Sequence, residues 1–316
     1  MNSLSRQLLA AFAILAANST TASLARTDNS PDSVTIQTFE MGFLPWDLAF
    51  DGENIWTNDY FGTSVAKIRA SDGVIVGTYY LEDSPRCLAF DGDSIWAGIV
   101  NGKLTKLRAS DGTIETTVYL GPPNMGHILF DGQNIWVSSW DGQSTVFKVQ
   151  PSDGTILGTY VVGRNPYGLA FDGENIWVTN SLDGTVSKLR ASDGQVLFTV
   201  PAGPAPWGIV YDGRSIWVSN SYNHMMTHLR LSDGAILGTA RTGLAPQEPA
   251  FDGNNIWIGN WGRDPDDRVM RLKPRDGRYT GSFSAGKAPL GMLFDGTSLW
   301  VAYWGSGTLG KITPAP

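Results

Sequence analysis

Residues Pro166 to Gly203 read PYGLAFDGENIWVTNSLDGTVSKLRASDGQVLFTVPAG, and this stretch decides the fold. It is broken by two Asp-Gly pairs, Asp172-Gly173 and Asp193-Gly194. Asp-Gly supplies the positive φ values that tight hairpins need, so the pieces between the breaks read as short strands. They are an inner strand Gly168 to Phe171, a second strand Ile176 to Asn180, a third strand Val186 to Arg190 and an outer strand Val196 to Val200. Period-2 alternation along them gives each strand one face toward either neighbour. The pattern then recurs. An F-D-G-x-x-I-W type core begins at Phe50, Phe90, Phe130, Phe171, Tyr211, Phe251 and Phe294, with a period of 40 to 43 residues. That period is the length of one four-stranded propeller blade. Seven copies therefore predict an all-β, seven-bladed β-propeller over residues 33–316, with the repeat tryptophan packing between blades.

The unit P-x-G-L-A-F-D-G-x-N-I-W-V-T-N, followed by T-V-S-K-L-R-A-S-D-G and x-I-L-G-T-Y-x-V-G, resembles the repeats of YVTN and NHL-type propellers from about Ser33 to the end of the chain. The seventh repeat stops at Ile312-Thr313, after its third strand. Val34 to Glu40 (VTIQTFE) matches the missing outer strand, so the N-terminal strand is expected to complete the last blade and remove an open sheet edge.

Arg6 precedes the apolar run Leu8 to Ala17, and a small polar stretch ends at Ser23-Leu24-Ala25. This reads as a cleavable signal peptide over 1–25, followed by a disordered mature N-terminus over 26–32 and a secreted or periplasmic destination. A run of about ten apolar residues is too short to span a bilayer, so no membrane insertion is expected. Glycine at 37, tryptophan at 12 and charged residues at only 17% suit an all-β repeat. The net charge is −7, and removing the leader, whose single charge is Arg6, makes it more negative. Nucleic acid or an anionic membrane needs clustered basic residues, so neither is expected as a partner. With one cysteine, Cys87, stability must come from packing rather than disulfides.

Alternating strand direction places both Asp-Gly turns of every blade on one face and the remaining connections on the other. The Asp-Gly face is monotonous, whereas the opposite face differs from blade to blade, which is where a rigid scaffold carries function. Two residues before the leucine of L-A-F stand Trp46, Arg86, Gly126, Tyr167, Trp207, Gln247 and Leu290; one residue before it stand Asp47, Cys87, His127, Gly168, Gly208, Glu248 and Gly291. At the start of the other loop come Tyr60, Val100, Trp140, Ser181, Ser221, Trp261 and Trp304. All five tryptophans outside the repeat core thus fall on the variable face. Aromatic side chains offer flat faces to sugar rings, aromatic groups or cations. Trp46, Asp47, Tyr60, Arg86, Trp140, Tyr167, Trp207, Trp261 and Trp304 are the candidate ligand-binding residues, for a small molecule, glycan or peptide. The competing reading is that the indoles plug the channel mouth.

His127 and Glu248 are the candidate catalytic pair, a histidine base with a carboxylate nearby. Their blades are not neighbours, so a shared site is expected to need a ligand that spans the mouth. Cys87 reads as a small apolar filler. The stretch Tyr222 to His228, with His224, Met225, Met226 and His228, reads as a solvated loop, and Arg263 to Arg268 as a charged, exposed insertion.

The repeats also resemble, distantly, those of the streptogramin B (virginiamycin B) lyase family. That resemblance implies a site on the equivalent rim and metal-assisted opening of a cyclic ester or peptide, with a histidine base and glutamate-held magnesium. Where lyase repeats read W-F-T-E, this chain reads W-V-T-N at Trp177 to Asn180 and W-V-S-N at Trp217 to Asn220. Only His127 and Glu248 are then counterparts by type. No metal or cofactor is assigned, magnesium entering only with lyase-like chemistry. A ligand-binding module, a lyase and a protein-interaction scaffold therefore stand as the readings, and catalysis is left open.

Overall fold

The computed structural model describes residues 26–27, 33–121, 125–140, 142–262 and 267–314; the expected leader, 1–25, lies outside them, as do residues 28–32. Seven antiparallel sheets, each built on four strands, follow one another along the chain. Blade 4 sets the rule with Pro166–Phe171, Asn175–Asn180, Thr185–Arg190 and Val196–Pro201 as its inner, second, third and outer strands. Every inner strand touches those of the blades before and after it, and blade 7 touches blade 1, so the inner strands close a ring. Among the described residues there is no α-helix, and hence none able to cross a membrane; a 3-10 turn covers Trp304–Ser306.

The ring is sealed as the sequence predicts. Val34–Glu40 pairs with Thr308–Pro314 throughout its length, from Val34 opposite Pro314 to Glu40 opposite Thr308. Arg26–Thr27, within the stretch expected to lack order, forms a short strand opposite Ile36 and Thr35. An outer edge strand presents unpaired N–H and C=O groups, and these capture it.

Burial follows position in the blade. Asn175–Asn180 is buried at every residue, because the second strand is flanked within its sheet and covered by a blade on each face. The outer strand Val196–Pro201 alternates between exposed and half-buried. The seven repeat tryptophans, Trp56, Trp96, Trp136, Trp177, Trp217, Trp257 and Trp300, are all at most 1% exposed, which makes them inter-blade packing.

Each of these indoles is held by the aspartate of its own first Asp-Gly turn. In blade 4 one carboxylate oxygen of Asp172 accepts the amides of Glu174 and Asn175 at 3.0 and 2.7 Å, and the other accepts the Trp177 indole N–H at 2.8 Å. The same indole bond forms from Trp56 to Asp51 and from Trp300 to Asp295. Gly173 takes a φ of +97°, a value that favours glycine. A lysine of the third strand completes the unit: Lys188 lies 4.9 Å from the Trp177 ring centroid and donates to the Leu231 carbonyl of the next blade at 2.8 Å. Lys311 does the same from blade 7 to Ala70 of blade 1 at 2.7 Å, across the closing seam.

Blade 5 departs from the series, with His228 stacked on Trp217 at 4.3 Å and bonded through Nε2 to the Ser215 hydroxyl at 2.6 Å.

Removing one such carboxylate strands a buried indole N–H and two amides. A buried donor without a partner costs about 1–3 kcal/mol. Asp172→Ala should therefore lower the unfolding free energy by about 2 kcal/mol, read as a shift in the urea midpoint with an unchanged slope. A midpoint equal to that of the parent chain would show the indole bond to be dispensable.

Candidate functional site

Every inner strand carries an irregularity where the candidate residues stand. In blade 1 the register passes from Pro45 opposite Asp59 to Leu48 opposite Thr57, leaving Trp46 and Asp47 against Asn58 alone. In blade 3 it passes from Met125 opposite Ser139 to Ile128 opposite Val137, and in blade 6 from Pro246 opposite Asn260 to Pro249 opposite Ile258. A bulge re-aims the side chains it holds. The polar residue opposite takes up the bulged amide: Asn58 Oδ1 accepts from Asp47 N at 2.8 Å and Ser138 Oγ from His127 N at 2.9 Å. These side chains also bind the next blade, Asn58 donating to the Pro85 carbonyl at 2.7 Å and Ser138 to the Tyr167 carbonyl at 2.6 Å. The second residue after the repeat tryptophan is polar in blades 1, 3, 4 and 5, a signal present in the sequence that its reading missed.

Three of the seven ring positions are glycine, and they draw the inner strands together. A Cβ on Gly168 would lie 2.5 Å from the Trp207 carbonyl oxygen, one on Gly208 2.6 Å from Glu248 Cα, and one on Gly291 2.9 Å from Asp47 Cα. The channel mouth is narrow as a result. Asp47, His127 and Glu248, from blades 1, 3 and 6, each bring a ligand-capable atom within 4.8 Å of the other two. This corrects the expectation that a shared site needs a ligand spanning the mouth: the strands approach so closely that the side chains meet directly across the axis.

The trio is fixed from outside. Asp47 is buried, and its two oxygens accept the amides of Leu48 and Leu88, each at 2.8 Å. Tyr167 stands beside Glu248 in the same wall, with Trp46 and Trp207. His127 Nδ1 is sealed from solvent and has no hydrogen-bond partner. Burial pushes Asp47 up to about 7, against those two amides. Burial, and then the neighbouring Asp47, raises Glu248 well above the carboxylate range, with Tyr167 acting the other way. Burial holds His127 down at about 4, so its ring is neutral at physiological pH. The donors, one imidazole and two carboxylates, suit a divalent cation, Asp47 being buried and His127 and Glu248 half-buried.

The eight other ligand-binding candidates gather in two aromatic groups on the variable face. In one, Trp46 stacks on Tyr60 at 4.3 Å, the Arg86 guanidinium lies 3.9 Å over the Tyr60 ring, and Trp304 meets Tyr60 and Trp261 edge-on, each at 6.2 Å. In the other, Tyr167 and Trp207 stack at 3.8 Å with Trp140 edge-on at 6.3 and 5.9 Å. Phe61, at 72% exposure, joins the first group and was not anticipated. Arg86 also donates to the Tyr60 carbonyl at 3.0 Å, so its charge is used within the face. Asp47 belongs to the axial trio and not to this surface.

A cleft of about 740 Å³ runs between the groups, lined by Trp140, Trp207, Trp261, Asn165, Ser181, Asp183, Tyr222 and Gln247 among others. Its floor includes Asn165, Ala205 and Ala245 at φ values of 58°, 50° and 45°. Each precedes a proline and accepts, through its carbonyl, the amide of Ser181, Ser221 or Trp261. Strain of this kind persists where surrounding bonds impose it, and it clusters at functional sites. Beneath the cleft, Trp207 and Gln247 also line a void of about 10 Å³ that reaches Glu248, room for about one water.

Cys87 is buried against Met125 and Trp96, its thiol raised by burial and by Asp47 and Glu248, as a filler should be. The expected solvated loop at 222–228 is divided. Tyr222 is exposed, but Met225–Arg230 is a strand whose Met226 and His228 pack against Trp217. His224 Nδ1 accepts the Ala245 amide. Of the insertion at 263–268, residues 263–266 lie outside the described residues.

A carboxyl whose pKa rises on folding contributes stability in full below its unfolded value, here 3.8, and loses it as the pH climbs through about 7. Glu248 acts in the same sense; His127 acts oppositely, losing its contribution as the pH falls from 6.5 towards 4. Above pH 6.5 only the carboxylates still titrate. The melting temperature in EDTA should accordingly fall between pH 6.5 and 8, and Glu248→Gln should flatten that fall. A melting temperature that rises over this interval contradicts the buried two-carboxylate arrangement.

No protein-family model matches the chain, and no curated protein matches it in sequence. Among solved structures it is similar to a streptogramin B lyase structure, with a TM-score of 0.74 and 19% sequence identity, over 89% of this chain and 98% of that one. At that identity the likeness is one of fold, and it extends over the ring the resemblance that the repeats carry.

Proposed function

We propose that this chain is an exported binding propeller whose variable face holds a small molecule, glycan or peptide. One observation carries the reading: the cleft between the aromatic groups, about 740 Å³ and lined by Trp140, Trp207 and Trp261. Sites for small ligands are concave, mainly apolar and of this size. Asp183, the one charged lining residue of the cleft among the described residues, pairs with Arg164 at 2.6 Å. Asn165, Ser181 and Gln247 supply amide and hydroxyl groups beside the indoles. Such a lining suits a neutral ligand with flat apolar faces and polar edges. Export rests on the leader read at residues 1–25.

The test uses indole fluorescence. Trp261 is 44% exposed, so Trp261→Ala should leave the melting temperature within about 2 °C of the parent. A glycan or peptide that quenches the parent chain should bind the variant at least about tenfold more weakly, an aromatic anchor being worth about 1.4 kcal/mol or more. Equal affinity in Trp261→Ala and Trp207→Ala would count against the cleft.

A second reading is favoured by the axial trio. His127, held neutral with Nδ1 unpartnered, has the form of a general base, and Glu248, its carboxyl pKa raised by burial and by Asp47, that of an acid. Together they suit an elimination that opens a cyclic ester or peptide, the chemistry implied by the lyase resemblance; magnesium, when bound, would polarise the substrate carbonyl. Cyclic peptides incubated with the protein, with and without magnesium, and followed by mass spectrometry should then yield a linear product that His127→Ala abolishes. Turnover unchanged in that variant would exclude the base assignment.

A further inference from the structure

The trio on the axis, which the second reading uses for acid–base chemistry, also has the make-up of a ligand set for a metal ion. Asp47 and Glu248 face one another and His127 across the ring, with a ligand-capable atom of each within 4.8 Å of the rest. The nearby cation does not balance them, since Arg86 turns onto the Tyr60 ring and carbonyl. A second observation is independent of the acids: His127 Nδ1 is buried and has no hydrogen-bond partner, an unfavourable state for a polar atom that nothing fills. A neutral imidazole nitrogen in that condition is what a metal ion takes up.

The surroundings are those of a ligand set. Metal-binding side chains are normally oriented by hydrogen bonds from behind. Asp47 is fixed by the amides of Leu48 and Leu88, and Glu248 stands in a wall that also holds Trp46 and Tyr167. The His127 backbone is pinned by Ser138. Gly168, Gly208 and Gly291 permit the close strand approach that brings the three together.

We infer that Asp47, His127 and Glu248 form a zinc-class divalent metal site on the propeller axis, assembled from blades 1, 3 and 6. Two carboxylates match the charge of a divalent ion, and the imidazole selects a borderline ion over magnesium, which prefers oxygen ligands and retained water. Three protein ligands leave a coordination position open, and a small void lies against Glu248. The site needs only these side chains, whatever the cleft binds.

The purified chain, stripped with EDTA and dialysed, is titrated with zinc chloride and separately with magnesium chloride. Calorimetry, elemental analysis after gel filtration and thermal melting are the readouts. One equivalent of zinc should be retained, with a higher melting temperature than in EDTA and at least about tenfold preference over magnesium. Glu248→Gln, which keeps the side-chain shape, should weaken zinc binding at least about tenfold while melting cooperatively in EDTA. His127→Ala should retain no zinc. Substoichiometric retention by the parent chain overturns the site, as does one full equivalent held undiminished by Glu248→Gln, which would move the metal elsewhere.

Discussion

A carboxylate that accepts an indole N–H recurs through this molecule and holds its blades. In blade 4 Asp172 ends a hairpin, caps two amides and anchors Trp177 with one side chain, and Lys188 carries the contact to the blade that follows. The tryptophan buries a large apolar area, and the bond satisfies its polar edge, so the residue is both filler and register mark. Because the unit lies at the Asp-Gly end of each blade, on the first turn and the second and third strands, the other ends of the inner strands are relieved of specifying the ring and can vary.

That freedom is used at the bulges. An irregularity in a strand turns the two residues that face one partner toward different surroundings, and in blade 1 Trp46 joins the aromatic groups while Asp47 enters the axis. The other member differs from blade to blade, as Trp46, Arg86, Gly126, Tyr167, Trp207, Gln247 and Leu290, and lies buried or half-buried against its neighbours. The axial member is confined: where it is glycine, the neighbouring strand moves in; where it is Asp47, His127 or Glu248, the space so gained is filled by a charged or polar group from across the ring. The close juxtaposition of two carboxylates and an imidazole is thus a consequence of three glycines elsewhere on the same circle.

The fold was legible because each of its signals is local and repeated seven times. Asp172-Gly173 states a turn, Trp177 states a buried second strand, and Val34 to Glu40 states a missing outer strand by its likeness to others. The grouping of Trp46, Tyr60, Trp140, Tyr167, Trp207, Trp261 and Trp304 on one face was legible for the same reason, as repeats can be compared position by position. The meeting of Asp47, His127 and Glu248 was not. It depends on the width of the axis, which is set by backbone approach at Gly168, Gly208 and Gly291, and no single repeat encodes that distance. His228 was misjudged through its loop-like neighbours Tyr222 and Asn223, when its alignment with Lys188 already marked a strand.

The seal of the last blade has a temporal side. Val34–Glu40 has its hydrogen-bonding partner in Thr308–Pro314, so the first strand of the ring must wait for almost the whole chain before it can pair. Local hairpins form within each repeat without delay, whereas circular closure is the longest-range event in the molecule and is entropically the slowest. A polypeptide built in this way keeps its leading strand without its partner until the last repeat is made, and the circle becomes continuous only then.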